Sequence, residues 1–439
     1  MNRTAYTFVD LFAGCGGFSL GLFLAGLDGK FAVERDPMAF ETLAANLCDQ
    51  NPVQSFDWPD WLEKRPWSIE DLLSKHKKQL TALRRHVDVL AGGPPCQGFS
   101  FAGRRREGDP RNLLFMQYVE AVAAIQPSVV ILENVPGMQV AHARNAPAKT
   151  SVRRATKSFY DKLAQRLEDI GYAVEARLVD ASRFGVPQRR SRLIAIGVRS
   201  ELAKRLDGGV ARAFQLLEQA RTLQLKEFKL PPSISAAEAI SDLEVEGGFL
   251  RPCTDPTSKA GYLEIEYRQP LTRYQKLMHA SCAAGAMDSM RLANHRKDVA
   301  KRFAKIIASC PQGIRMNDKS RAKFGLKKHR IFPMSSTDPA PTVTTLPDDV
   351  LHYSEPRILT VRECARLQSF PDWFEFRGKF TTGGNRRTKE CPRYTQVGNA
   401  VPPYLGRAIG IATSVLLDEI AQSRRFDRNN QRSVAAAIA

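Results

Sequence analysis

Short apolar runs alternate with amphipathic stretches over the first two hundred residues. A buried strand is predicted wherever such a run is short and ends in glycine or a polar residue. This is the case at 6–14, 30–36, 87–93, 128–135 and 191–198. Leucines at helical spacing, followed by a glycine, predict a helix over 159–172. The alternation predicts an α/β fold built on a parallel, doubly wound sheet.

In a sheet of this kind, ligands bind at the carboxyl ends of the strands. The glycines at 14–17, Glu34, the segment 94–100 and the segment 133–135 each follow a predicted strand. We therefore expect them to meet along one edge of the sheet, which we call the carboxyl rim.

The remaining chain is less regular. Residues 58–86 are typical of a polar helical insertion, and 138–157 of a basic loop. Beyond about residue 200 the alternation fades, and it becomes regular again from 357. We predict a first domain formed by 1–199 and 356–423, a second formed by 200–355, and a disordered tail at 424–439.

The charge indicates a polyanionic partner. The chain of 439 residues has 65 Lys and Arg against 46 Asp and Glu, a net charge of +19. Nucleic acid is the simplest partner for such a chain. The alternative is a basic surface without a specific partner.

Cysteine and histidine spacing excludes other classes. The eight cysteines show no C-x-x-C pair, and the seven histidines are not spaced with them as zinc ligands. We expect a reduced protein without disulfides or metal. The chain shows no secretory leader and no long apolar run, so we expect neither secretion nor a membrane span.

The segment FAGCGGFS (12–19) is typical of a glycine turn that admits a ligand to a helix start. Gly14 and Gly16 fit the dinucleotide pattern, but Ser19 takes its last glycine position. Glu34 could accept both hydroxyls of a ribose. A tight structural turn and a solvated charge at a strand end are the alternatives.

In GGPPCQGFS (92–100), two prolines and the flanking glycines present Cys96 at a strand end. It is either a nucleophile or a cysteine packed in a turn. Glu133 ends an apolar strand, where its charge needs an arginine partner or a role as an acid. In QRRSR (188–192), Gln188, Arg190 and Arg192 should point the same way, unless this is a basic strand edge at the surface.

In their order along the chain, FAGCGGFS, ERD, GGPPCQGFS, ENV, QRRSR, RECARLQSF and QVGNAVPP closely resemble the cytosine carbon-5 DNA methyltransferases. The resemblance covers about 7–198 and 357–410. It implies a Rossmann-like S-adenosylmethionine-dependent methyltransferase fold with a mixed, mostly parallel sheet. The first domain would then be catalytic and cofactor-binding, and 200–355 a smaller target-recognition domain.

The resemblance also implies a set of residues for S-adenosylmethionine. Phe12 would stack on the adenine, Glu34 would hold the ribose, and Asp57 would contact the adenine amine, although the stretch around Asp57 departs from the family pattern. Asn399 would lie on the cofactor side, with Ala400 where some relatives have serine. The remaining predicted cofactor residues are Gly14, Gly16, Gly17 and Pro95.

By the same resemblance, the Cys96 thiolate adds to carbon 6 of a cytosine that has left the base stack. Glu133 assists at ring N3 by hydrogen bonding or proton donation, and Arg192 holds the base oxygen. Arg190, counted with the catalytic set, braces the loop. The residues predicted to contact DNA are Ser100, Arg104, Arg105, Arg106, Arg111 and Gln188.

The expected substrate is double-stranded DNA, methylated by a monomeric bacterial enzyme in the cytoplasm, associated with the nucleoid. A separate restriction endonuclease could share its target sequence. Two alternatives remain: an enzyme of the same chemistry acting on transfer RNA, and an inactive homologue that only binds DNA. The length of 200–355 argues against the first, and the intact motifs argue against the second.

Overall fold

The computed structural model describes residues 5–48, 54–95, 114–139, 158–283, 287–382, 386 and 389–438, with side chains as far as 423. The strands are β1 (Thr7–Leu11), β2 (Asp28–Val33), β3 (Val89–Gly92), β4 (Val129–Asn134), β5 (Tyr172–Asp180), β6 (Ser191–Arg199), β7 (Phe249–Pro252), β8 (Leu263–Glu266), β9 (Phe332–Pro333) and β10 (Val350–Leu351).

The helices within the first two hundred residues flank the large sheet. They are α1 (Gly17–Leu24), α2 (Pro37–Leu47), α3 (Ile69–Lys75), α4 (Lys77–Ala82), α5 (Leu114–Ile125), α6 (Phe159–Asp169) and α7 (Ser200–Ala203). The later helices are α8 (Ala211–Phe228), α9 (Ala236–Ile240), α10 (Arg273–His279), α11 (Lys297–Ser309), α12 (Asp318–Lys323), α13 (Val361–Leu367), α14 (Arg393–Asn399) and α15 (Pro403–Ile438).

The central sheet has six strands in the order β2-β1-β3-β4-β6-β5. The first four are parallel, and β6 runs antiparallel to both of its neighbours. The α/β class with a mixed, mostly parallel sheet is therefore confirmed. Leu11 is in register with Val33 and Gly92, and Gly92 with Leu132. The carboxyl ends of four strands thus meet at one level.

Strand β5 was not predicted from the sequence. It is an edge strand that pairs only with β6, and most of its side chains are partly or fully exposed. An edge strand with one wet face lacks the continuous apolar run that marked the other strands.

Helices cover both faces of the sheet. One core cluster joins the sheet to α1, α8 and α15, and a second joins it to α3, α5 and α6. Helices α1 and α15 cross closely, because a Cβ on Gly21 would lie 2.6 Å from the Cα of Gly406. The segment Arg393–Ser423 is long and apolar enough to span a membrane, but 78% of its apolar window is buried inside the protein.

The predicted domain limits differ from the packing in two places. Helix α8 lies in the range given to the recognition domain, yet its Gln224 side chain donates to the backbone oxygens of Phe184 and Tyr404. It therefore packs on the domain formed by 1–199 and 356–423, which we call the catalytic body. At the other end, the backbone of α15 is helical to Ile438, where a disordered tail was predicted.

The segment 200–355, which is predicted to recognise the target and is called the recognition region, has two small cores of its own. One contains Leu243, Ile265, Met287 and Met290, and the other is built around Phe303 and Ile306 of α11. Each is separate from the large clusters on the sheet. This region therefore consists of compact modules attached to the body.

Candidate active site

The turn after β1 combines strain with open space. Phe12 has a φ of 60°, a conformation that costs a residue with a side chain on the order of 1–3 kcal/mol. Gly14 has a φ of 59°, and a Cβ placed there would meet no atom within 4 Å. This glycine therefore borders space in which a ligand can lie against the backbone.

The next two glycines are required by packing. A Cβ on Gly16 would lie 2.7 Å from the Leu47 side chain, and one on Gly17 would lie 2.5 Å from the backbone oxygen of Val401. Their absence of a side chain lets α1 start against α2 and against the residues that follow α14. These two glycines therefore serve the packing of the turn and not the binding of a ligand.

Glu34 directly follows β2, and its side chain hydrogen-bonds to the glycine turn. Its Oε2 accepts from the Gly14 backbone N–H at 2.9 Å, and its Oε1 accepts from the Asp36 N–H at 2.7 Å. Burial raises the pKa of this carboxyl, while hydrogen bonds from the backbone oppose the rise. A carboxylate has about four acceptor positions. Acceptor positions that the backbone does not use can receive hydroxyl groups of a ligand.

The ends of β3 and β4 are joined directly. The side-chain amide of Asn134 donates to the Pro94 backbone oxygen at 2.9 Å. A Cβ on Gly93 would lie 3.6 Å from Oε2 of Glu133. Pro95 is partly exposed and directly precedes Cys96 in the chain. The residues leading to Cys96 therefore lie beside Glu133.

Glu133 and Arg192 form an ion pair across β4 and β6. Arg192 Nε lies 2.8 Å from Glu133 Oε1, and the side chains are 12% and 10% exposed for Arg192 and Glu133. Burial lowers the pKa of Arg192, and Glu133 opposes that effect. The pair places one fixed negative and one fixed positive group at the rim.

Arg190 stabilises the backbone next to the same rim. It is almost fully buried, and its guanidinium donates to the backbone oxygens of Val343, Gly398 and Ala400. Burial lowers its pKa, first of all, and the nearby Arg192 adds to this. Between Gly398 and Ala400 lies Asn399, which is exposed at the end of α14. Arg190 thus holds in place the turn that presents Asn399.

The geometry is matched by the comparison with protein families. Residues 6–414 match the family described as C-5 cytosine-specific DNA methylase. The chain belongs to this family. The resemblance stated from the motifs is confirmed. The protein is therefore a DNA (cytosine-5) methyltransferase, and its family implies a methyl donor of the S-adenosylmethionine type.

Individual relatives agree with the family. Type II methyltransferase M.DdeI of Desulfomicrobium norvegicum is 32% identical, covering 94% of this chain and 89% of the relative. Type II methyltransferase M1.HphI of Haemophilus parahaemolyticus is also 32% identical, covering 92% and 86%. A solved structure, described as a DNA modification methyltransferase encoded within an E. coli prophage, superimposes with a TM-score of 0.62. It is 24% identical, covers 94% of this chain and 100% of that chain, and shows the fold.

Three predicted roles need correction in this methyltransferase. Gln188 is fully buried between Leu367 and Val343, to which it hydrogen-bonds, so it cannot reach DNA. Asp57 is exposed and pairs with Lys30, and its N–H bonds to Gly29 at the start of β2, at the end of the strand opposite Glu34. Arg190 is 1% exposed and donates to backbone oxygens, which fits the bracing role given to it but not its place in the catalytic set. Cys96, Ser100, Arg104, Arg105, Arg106 and Arg111 lie outside the described residues.

Two contributors were not predicted. Asn134 joins the ends of β3 and β4, and its place beside Glu133 in the ENV motif was the available signal. Asp10 is a buried carboxyl within β1 that accepts from the Ser19 hydroxyl at 2.6 Å. Its signal was a charge inside an apolar run. Cys15, on the same turn, is buried and its pKa is raised to about 12, so it is not a nucleophile near neutral pH.

Proposed function

We propose that this methyltransferase modifies one short sequence in double-stranded DNA, with S-adenosylmethionine as donor and Cys96 as nucleophile. We further propose that it is the modification enzyme of a restriction-modification system in a bacterial cytoplasm, acting as a monomer at the nucleoid. The relatives named Type II methyltransferases support the second part.

One observation supports the site most strongly, namely that four strand ends contribute to one rim. Glu34 binds the backbone of Gly14, Asn134 binds Pro94, and Glu133 pairs with Arg192. A cofactor held near Gly14 and a base held near Glu133 would therefore lie on the same edge of the sheet.

The residues present fit the methyl donor. Glu34 can use its remaining acceptor capacity for ribose hydroxyls, and the space beside Gly14 admits a ligand. Phe12 lies in the same turn, and Ala400, which follows the exposed Asn399, would lie 3.3 Å from a Cβ on Gly17. When bound, S-adenosylmethionine supplies an electrophilic sulfonium methyl group.

This chain's own residues prepare the cytosine. Cys96 forms a bond to carbon 6 and thereby makes carbon 5 nucleophilic, and it leaves with that bonding pair when carbon 5, once methylated, loses its proton to a base. Glu133 faces ring N3, and Arg192 stabilises charge that develops on the base oxygen. The Glu133–Arg192 pair holds both side chains in place before the base arrives, which reduces reorganisation during the reaction.

The test is single-base conversion sequencing of a methylation-free bacterial host that expresses the chain. We expect one short motif to be methylated throughout. Cys96→Ser should abolish methylation while DNA binding persists, and Cys310→Ser, a cysteine of the recognition region, serves as the matched control. A soluble protein that leaves DNA unmodified but methylates transfer RNA would overturn the proposed substrate.

The cofactor assignment is tested separately with Glu34→Ala. The substitution removes the acceptors proposed for the ribose, so the dissociation constant for S-adenosylmethionine should rise at least tenfold. Affinity for DNA in the absence of cofactor should change little. An unchanged dissociation constant would contradict the assignment of Glu34.

A further inference from the structure

A strongly basic module lies within the recognition region, at residues 294–330. It contains twelve Lys and Arg against two Asp, a net charge of +10 out of +19 for the chain. The module includes α11 and α12 and packs on its own small core around Phe303, Ile306 and Met316. More than half of the net charge is thus concentrated in less than a tenth of the sequence.

Helix α11 separates its apolar and basic residues sharply. Phe303 and Ile306 are buried, while Lys297, Lys301 and Lys305 are exposed. Residues four apart are neighbours on a helix surface, so the three lysines form one row. The row is about 12 Å long, at about 1.5 Å per residue. Two small exposed residues on the same face, Ala304 and Ala308, leave room for close approach.

These lysines have no acidic partner within the part of the chain that the structure describes. Like charges four residues apart destabilise a helix by about 0.2–0.5 kcal/mol for each pair. Repulsion among the three lysines therefore destabilises the helix, and a bound polyanion would reduce that repulsion. A second exposed series, also at intervals of four, follows at Arg315, Lys319, Lys323 and Lys327.

The module is tied to the segment that forms the active site. Arg330 donates to the Thr342 backbone oxygen at 3.2 Å, and the Thr342 hydroxyl donates to the Arg189 oxygen at 2.7 Å. Arg189 directly precedes Arg190, which braces the rim. A duplex held by the module would therefore be held by an element attached to the catalytic body.

We infer that the row Lys297, Lys301 and Lys305 binds the sugar–phosphate backbone of duplex DNA and adds affinity without reading bases. Successive phosphates of one strand are separated by about 3.4 Å along the duplex axis, so a row of about 12 Å laid parallel to that axis spans about three of them. Lysine acts as a point charge toward phosphate, without the planar fork of arginine. This inference rests on the proposed function, since it assumes that the substrate is double-stranded DNA.

The experiment compares the triple variant Lys297→Gln, Lys301→Gln, Lys305→Gln with the full-length parent. The control is Lys64→Gln, Lys77→Gln, Lys78→Gln, which removes the same charge from exposed lysines of the insertion at 58–86. DNA affinity is measured by fluorescence anisotropy from about 50 to 200 mM salt. Each lost phosphate contact lowers the slope of log affinity against log salt by about one.

We expect the slope of the α11 variant to fall by about three, and its affinity near 100 mM salt to fall on the order of 10²-fold. The control should retain the parent slope, and the methylated motif should stay the same in both variants. Equal slopes for all three proteins, or an equal loss in the control, would overturn the inference. So would a changed motif, or a loss of affinity for transfer RNA alone.

Failure of the proposed function gives a different result. If the parent methylates no DNA, the function is wrong, yet the difference in slope between the variants can still be measured. A parent that methylates DNA with an unchanged slope in the α11 variant would contradict only the inference.

Discussion

At the scale of single residues, the buried carboxyl of Asp10, beside the glycine turn, makes the stability of the protein depend on pH. It is 1% exposed within β1, and burial raises its pKa to about 7, although the Ser19 hydrogen bond opposes this. In an unfolded chain an aspartate has a pKa of about 4. Between these values the folded state binds the extra proton, so stability falls as pH rises from about 4 to about 7.

Asp10→Asn should therefore stabilise the protein most above pH 7. Asparagine is similar in size and can still accept from Ser19, but it carries no charge. The gain in unfolding free energy over the parent should approach on the order of 4 kcal/mol at pH 8 and shrink toward pH 5. Urea unfolding at several pH values measures it, with the surface variant Asp207→Asn as control. A gain independent of pH would show that the Asp10 charge is not responsible.

The pair Glu133 and Arg192 allows a second test at this scale. Arg192→Met leaves a nearly buried carboxylate without its partner, and breaking a buried pair costs about 3–5 kcal/mol. Adding Glu133→Gln removes that charge, so the double variant should be more stable than Arg192→Met alone. Both should lose methyl transfer by about 10²-fold or more. Additive stability losses in a double-mutant cycle would argue against a direct interaction.

For these residues, the sequence indicated the direction of the side chain only at positions that lie within a strand. Glu133 and Arg192 lie in β4 and β6, and the need of a buried charge for an arginine led to their pairing. Gln188 was placed by alternation along a strand, but β6 begins at Ser191. Gln188 and Arg190 both hydrogen-bond Val343 inside the protein, whereas Arg192, which lies within β6, pairs with Glu133 at the rim.

At the scale of elements, the crossing of α1 and α15 depends on two glycines. A Cβ on Gly21 would lie 2.6 Å from both the Cα of Gly406 and the oxygen of Pro403. A Cβ on Gly406 would lie no nearer than 3.2 Å to any atom. Gly21→Ala should therefore force the helices apart, at a cost of about 1–3 kcal/mol.

The matched comparison is Gly406→Ala, which should cost clearly less, because its neighbours need to move by only a few tenths of an ångström. Thermal unfolding of both variants measures the difference. Equal melting temperatures would contradict close packing of these two helices as the cause.

Element prediction succeeded where burial gave a strong pattern. The four parallel strands have apolar runs, because helices cover both of their faces. Strand β5 lies at an edge and has few buried residues, so that pattern is absent. Helix α8 was not predicted, and its packing against α15 depends on residues that are 180 positions apart, Gln224 and Tyr404.

At the scale of the whole molecule, buried arginines join the recognition region to the catalytic body. Arg366 of α13 is fully buried and hydrogen-bonds Asp242 and Asp372. Burial alone would lower the pKa of Arg366, but Asp372 and Asp242 raise it above its ordinary value. Arg393 similarly pairs with Asp255, at 2.6 Å. Asp242 and Asp255 lie more than a hundred residues from these arginines, so no local pattern in the sequence could reveal those two pairs.

Arg366→Met tests this connection. The substitution leaves two carboxylates buried without their shared partner, so the free energy of unfolding should fall by about 3–5 kcal/mol. The control is Arg189→Met, which breaks the pair with Asp338, whose side chains are about half exposed. Such a pair contributes about 0–1 kcal/mol. Chemical denaturation compares both variants with the parent.

A further substitution separates charge from volume. Adding Asp242→Asn and Asp372→Asn to Arg366→Met removes the unpaired charges and should recover much of the lost stability. DNA affinity should recover less, because the orientation of the recognition region then lacks its charged anchor. If stability and DNA affinity recover together, the anchor contributes to folding alone. If Arg366→Met costs no more than Arg189→Met, the buried network does not hold the two parts together.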